Sequence, residues 1–116
     1  MNKAAEWFAR LRIQQRYSDT ATFVTLTYND AHLPPPRVDS EGFRHYDVSK
    51  DDIRYYHYRL RKSLGPEKSR KLKYFLVSEY GPNPDNGWLY RPHYHAIYFN
   101  LNELDRPKVE RAWNDR

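Results

Sequence analysis

Apolar and polar residues along the chain alternate with two different periods. From Lys3 to Tyr17, Ala4, Trp7, Phe8 and Leu11 recur at spacings of three and four, which is one face of a helix, while Lys3, Arg10, Arg12 and Arg16 fall mostly on the other sides. Ser18-Asp19-Thr20 ends that segment. Phe23-Val24-Thr25-Leu26-Thr27-Tyr28 contains only β-branched, aromatic and leucine residues and predicts a strand. Its period of two sends Phe23, Thr25 and Thr27 to one face and Val24, Leu26 and Tyr28 to the other.

Residues 29–48 read as a long connection in which Leu33-Pro34-Pro35-Pro36 is extended and Asp39-Ser40-Glu41-Gly42 turns. Val38 can pair across that turn with the Phe43–Tyr46 segment as a small hairpin. Ser49-Lys50-Asp51-Asp52 has the spacing of a capping box, and Asp51 and Asp52 suit the positive end of a helix dipole. In the helix it opens, Ile53, Tyr56, Leu60 and Leu64 face the core, and Gly65-Pro66 is the stop signal. Arg54, Tyr55, Tyr58, Arg59, Arg61 and Lys62 occupy its outer faces. Pro66 to Lys73 reads as a basic loop. Strands follow over Tyr74–Tyr80 and His93–Phe99, separated by a stretch dense in Gly, Pro, Asn and Asp, and Arg106 to Trp113 reads as a last helix with Pro107 in its first turn. The order predicts an α+β fold, an antiparallel sheet with flanking helices, in a single domain over residues 1–116.

Composition sharpens this picture. A mean hydropathy of -1.07 leans toward disorder, but 11 Tyr, 5 Phe and 3 Trp in 116 residues do not, because disordered chains are poor in aromatics. The absence of cysteine excludes disulfides and thiolate metal sites. No apolar run reaches membrane-spanning length, and the charged N-terminus lacks the apolar stretch of a signal peptide, so the chain is expected in the cytoplasm, away from membranes. A net charge of +5 on an aromatic-rich domain makes nucleic acid the first partner to consider.

The chemistry gathers on the two later strands. His93 and His95 are two apart and so share a face; alone, the pair is equally a half-exposed polar edge. If the two strands form an antiparallel hairpin in an even register, Phe75 lies opposite Ile97 or Phe99, and Glu79 falls beside His93 and His95. A slip of one residue would put Glu79 on the other face. The even register yields two imidazoles and a carboxylate at the mouth of an apolar face, a donor set suited to Mg2+, Mn2+ or a transition metal.

Phe23 to Tyr28 followed by Asn29-Asp30, and Arg91-Pro92-His93-Tyr94-His95-Ala96-Ile97-Tyr98-Phe99, resemble two motifs of the HUH rolling-circle replication initiators, particularly those of microvirus-type single-stranded DNA phages. Val48 to Asp52 leading into Arg59 to Lys62, and Val77 to Pro82, extend the resemblance over most of the chain. It implies a sheet of about five strands with flanking helices and a metal-dependent endonuclease that nicks and joins single-stranded DNA at a replication origin through a 5′-phosphotyrosyl intermediate. It further implies Mg2+ or Mn2+ held by Glu79, His93 and His95. Host replication proteins are implied partners. The tyrosine nucleophile of such initiators lies on a helix after the histidine strand, whereas no tyrosine follows Phe99 here. The resemblance therefore places the nucleophile beyond Arg116, with the fold incomplete at the C-terminus and the chain itself inactive in cleavage. Tyr17 is the alternative by analogy with relaxases.

Arg54, Arg59, Arg61, Lys62 and Arg91 are candidate phosphate contacts. Two other readings remain open. A non-catalytic, ferredoxin-like module would bind single strands by stacking bases on Tyr74, Tyr94 and Tyr98. An oxygen-activating metal enzyme would use the same donors, but its usual ligand order differs from Glu79, His93, His95.

Overall fold

The computed structural model describes residues 2–42, 44–83 and 88–115, without the side chains of 30, 44, 45, 80–83 and 88–91. Helix α1 (Lys3–Arg16) precedes strand β1 (Ala21–Thr27), and a minimal hairpin follows, β2 (Arg37–Val38) and β3 (Arg44–His45). Helices α2 (Lys50–Leu64) and α3 (Pro66–Lys71) lead into strands β4 (Lys73–Asn83) and β5 (Trp88–Phe99), and helix α4 (Arg106–Asn114) closes the described chain. The α+β class holds. The strands divide into an antiparallel three-stranded sheet in the order β1-β5-β4 and a separate β2–β3 pair, rather than one sheet of about five.

The hairpin register is the even one: Phe75 pairs with Ile97, Val77 with His95 and Glu79 with His93. β1 pairs on the other side of β5, with Phe23 against Ile97, Thr25 against His95 and Thr27 against His93. The histidine strand is therefore central. Period-two alternation sorts the sheet into a covered and an open face. Val24, Leu26, Tyr94, Ala96 and Tyr98 pack with Tyr56, Leu60 and Leu64 of α2 and Val109, Ala112 and Trp113 of α4 in one buried cluster. Ile53, expected there, is partly buried against it.

Local chemistry explains the ends of α2. Ser49 Oγ accepts from the Asp52 N–H at 3.1 Å, as the capping pattern predicts. The reciprocal half of the box is replaced by tyrosines. The Ser49 N–H donates to Tyr94 Oη at 2.8 Å, and the Asp52 carboxylate accepts from the Tyr28 hydroxyl at 2.7 Å. Tyr28 and Tyr94 hydroxyls lie 2.9 Å apart and complete the chain. Gly65 ends the helix at φ 89°, a left-handed conformation that favours glycine. The segment expected as a basic loop forms α3 instead. Pro66 sits in its first turn, where the missing N–H has no helical partner to lose, and Glu67 suits the same end.

α1 differs from the expected core helix. None of its residues is buried: Trp7 is 42% and Phe8 64% exposed. It rests on the open face through Trp7, whose ring centroid is 4.6 Å from that of Phe75. A cleft of about 260 Å³ remains between Phe8 and Leu11 on α1 and Phe23, Ile97 and Phe99 on the sheet.

Candidate metal centre

On the open face, two rows of side chains cross the three strands at the end next to the β4–β5 connection. One is Thr27, His93 and Glu79; the next is Thr25, His95 and Val77. Glu79 Oε2 lies 3.3 Å from His95 Nε2 and 3.8 Å from His93 Nε2. One ligand atom from each of Glu79, His93 and His95 lies within 4.8 Å of the others. Ligands bound at about 2.0–2.3 Å around one ion sit about 3 Å apart when adjacent, so side-chain adjustments alone bring the three onto a common centre. The two imidazole rings stand edge to face, with centroids 4.9 Å apart at 88°.

The donor set fits a divalent cation. Two neutral imidazole nitrogens and one carboxylate oxygen cover half of an octahedron and leave the open side of the sheet for further oxygen ligands. Half-exposure suits this use: the His93 side chain is 19% exposed, that of His95 44% and that of Glu79 58%. The other nitrogen of His95 is engaged as well, with Thr25 Oγ1 3.2 Å from Nδ1. Thr25 was missed in the sequence because β1 had not been assigned as the neighbour of β5. Its signal was the threonine pair on one face of an otherwise apolar strand.

The structure distributes the candidate phosphate contacts differently. Arg54 and Lys62 are exposed on α2, each with its charge over a tyrosine ring, Tyr55 and Tyr58 respectively. Arg54 also pairs with Asp51 at 3.2 Å. Arg59 turns inward: its Nε donates to the Ala112 carbonyl at 2.8 Å, and its Nη2 is buried with no hydrogen-bond partner among the described residues. Arg61 donates to the Ser69 carbonyl. Both are packing groups that tie α2 to α4 and α3. All four lie on α2, across the sheet from the triad. The Arg91 side chain lies outside the described residues.

No tyrosine with a described side chain is placed as a nucleophile beside the triad. Tyr28, Tyr46, Tyr56, Tyr94 and Tyr98 are buried. Burial and hydrogen bonding to Tyr94 and Asp52 push the Tyr28 phenol well above its ordinary range, and burial and Tyr56 do the same to Tyr98. Tyr56 is pushed up to about 12, again by burial. Tyr74 stacks on His57 of α2, centroid to centroid 4.1 Å. Tyr17 follows α1 and is 82% exposed. It lies near the Ala21–Phe99 end of the sheet, about 20 Å along β1 from the triad end.

A family model for the replication-associated protein ORF2 matches residues 21–115. Over 108 residues the chain is 31% identical to the replication-associated protein VP4 of Bdellovibrio phage phiMH2K, covering 93% of this chain and 31% of that protein. Over 125 aligned positions it is 28% identical to the replication-associated protein ORF2 of Spiroplasma virus 4, covering 100% of this chain and 35% of that protein. The chain thus spans about a third of the length of these curated relatives. No solved structure matches it at a significant level.

Proposed function

The chain belongs to the family of the replication-associated protein ORF2, and from that premise and the geometry of the open face we propose that it is the metal- and DNA-binding part of a replication-initiating endonuclease. The enzyme nicks and rejoins single-stranded DNA at the origin of a small phage genome, in the cytoplasm of the bacterial host and alongside host replication proteins. The observation that carries this is the register that brings Glu79, His93 and His95 together on the open face of the sheet.

Glu79, His93 and His95 hold Mg2+ or Mn2+, and a bound ion there polarises the scissile phosphate and offsets its charge. The central strand fixes both histidines and leaves the phosphate an approach from the open side. A tyrosine oxygen attacks the phosphorus, the P–O3′ bond breaks, and the phenol proton ends on the departing 3′ oxygen. The products are a 5′-phosphotyrosyl link and a free 3′-hydroxyl, and attack by a 3′-hydroxyl reverses the step to join strands. The nucleophile is a tyrosine outside residues 1–116, since in-line attack needs near-contact with phosphorus and the buried tyrosines of this chain cannot reach the open face. Arg54, Lys62 and Arg91 are the cations that remain as phosphate contacts.

The stacking-module alternative needs Tyr94 and Tyr98 accessible, and they are 1% and 0% exposed beneath α2 and α4. Calorimetric titration with Mn2+ and a single-stranded DNA binding assay test the reading. Binding of both, with metal binding lost in Glu79→Ala and His95→Ala, is the expected result. The chain incubated with Mn2+ and single-stranded oligonucleotides should form no denaturation-resistant adduct. An adduct that disappears with Tyr17→Phe would transfer the nucleophile to Tyr17.

A further inference from the structure

The two nitrogens of His95 face different neighbours. Nε2 is 3.3 Å from Glu79 Oε2, on the side of the triad, and Nδ1 is 3.2 Å from Thr25 Oγ1 on β1. We propose that Thr25 is a positioning residue for His95, holding the imidazole so that Nε2 is presented to the metal. This rests on the metal reading above and adds a residue to it from a third strand.

A neutral imidazole carries one proton, and only the bare nitrogen can bind a cation. With no cation, the Glu79 carboxylate favours the proton on Nε2, and Nδ1 then needs a donor. With a cation on Nε2 the proton moves to Nδ1, which then needs an acceptor. A hydroxyl fills both roles by rotating its hydrogen, whereas a carboxylate or an amide N–H fills only one. Thr25 therefore keeps the ring in one orientation through both states, and a ring held before binding loses less freedom when the ion arrives.

The surroundings of His95 leave this task to Thr25. On β4 the residue opposite His95 is Val77, which has no side-chain donor or acceptor. The position of Thr25 is itself braced, because two residues along β1 the Trp113 indole N–H donates to the Thr27 carbonyl at 2.7 Å. That contact anchors β1 to α4 at the level of the triad. The neighbouring row is built otherwise, with Glu79 rather than an apolar residue facing His93.

Thr25→Val keeps the branched shape a strand favours and deletes only the hydroxyl; Thr25→Ser restores it. In metal-free protein, 15N NMR should show the His95 Nδ1 resonance displaced in Thr25→Val and returned in Thr25→Ser, with His93 unmoved. Mn2+ affinity measured by calorimetry should fall about 10–100-fold in Thr25→Val, the range for removing a group that orients a ligand, and recover in Thr25→Ser. Equal Mn2+ affinity in wild type and Thr25→Val, or an unmoved Nδ1 resonance, overturns the proposal. A wild type that binds no Mn2+ while Nδ1 still responds overturns instead the metal reading on which it rests.

Discussion

The three strands of the sheet carry two faces built from the same stretches of chain. On the covered face, Val24, Leu26, Tyr94, Ala96 and Tyr98 are buried beneath α2 and α4. On the open face, Phe23 is 72% and Val77 42% exposed, and the polar groups gather at one end. Cohesion and chemistry are thus separated by a single step along each strand. Substitutions on the open face should alter what the molecule binds while sparing its stability, and substitutions on the covered face should do the reverse.

The largest expected effect tests the covered face. The Trp113 ring packs within 6 Å of Tyr28, Tyr56 and Tyr94, centroid to centroid. Trp113→Ala should lower unfolding stability by about 3–5 kcal/mol, and Phe23→Ala by less than about 1 kcal/mol. Equal losses in urea titrations would dissolve the distinction between the faces.

The next effect is acid sensitivity. His57 is buried on α2, its Nε2 2.7 Å from the Tyr98 hydroxyl. Burial, with a smaller push from the Arg61 charge and opposed by a hydrogen bond to the Ile53 backbone, lowers its pKa to about 4. The unfolded chain takes up that proton near pH 6.5. Between these values the unfolded state holds more protons, so stability is full above about pH 6.5 and declines as pH falls toward about 4, by about 3 kcal/mol in total. Urea titrations at several pH values should show that slope in wild type and its reduction in His57→Gln.

The third prediction returns to the open face. Glu79→Gln should weaken Mn2+ binding by about 100-fold, at the upper end of what loss of a supporting group costs, yet change stability by no more than about 0.5 kcal/mol, as for ordinary surface positions. The smallest effect separates the cations of α2. Lys62→Ala should reduce the salt slope of single-strand binding by ~0.7 if Lys62 meets a phosphate. Arg59→Ala should leave that slope unchanged and cost about 1–3 kcal/mol of stability through the orphaned Ala112 carbonyl.

What could be read from the sequence was whatever a local period decides. The alternation in β1 and β5, the Ser49 cap and the core stripe of α2 all follow from neighbours a few residues apart. The register of β4 on β5 was also within reach, because only one parity pairs Phe75 with Ile97 and leaves the polar groups together. Features set by distant partners were not legible. Arg59 and Lys62 look alike on a helical wheel, and only the arrival of α4 makes Arg59 a packing group. His57 carries no sequence sign that Tyr74 and Tyr98 will enclose it. α1 has the stripe of a core helix, yet it settles on the half-open side of the sheet.

The three ligand-type residues belong to one β4–β5 hairpin, whereas Thr25 reaches His95 across 70 residues of chain. Contacts within a hairpin form within microseconds, and contacts between distant segments wait on the closure of a long loop. Assembly of this face is therefore expected in two stages, with Glu79, His93 and His95 juxtaposed before β1 adds its threonine. A cation captured at the first stage would act as a clasp on the hairpin and speed the docking of β1. Stopped-flow refolding with and without Mn2+ reads this directly: an unchanged folding limb would mean that the ion meets only the finished sheet.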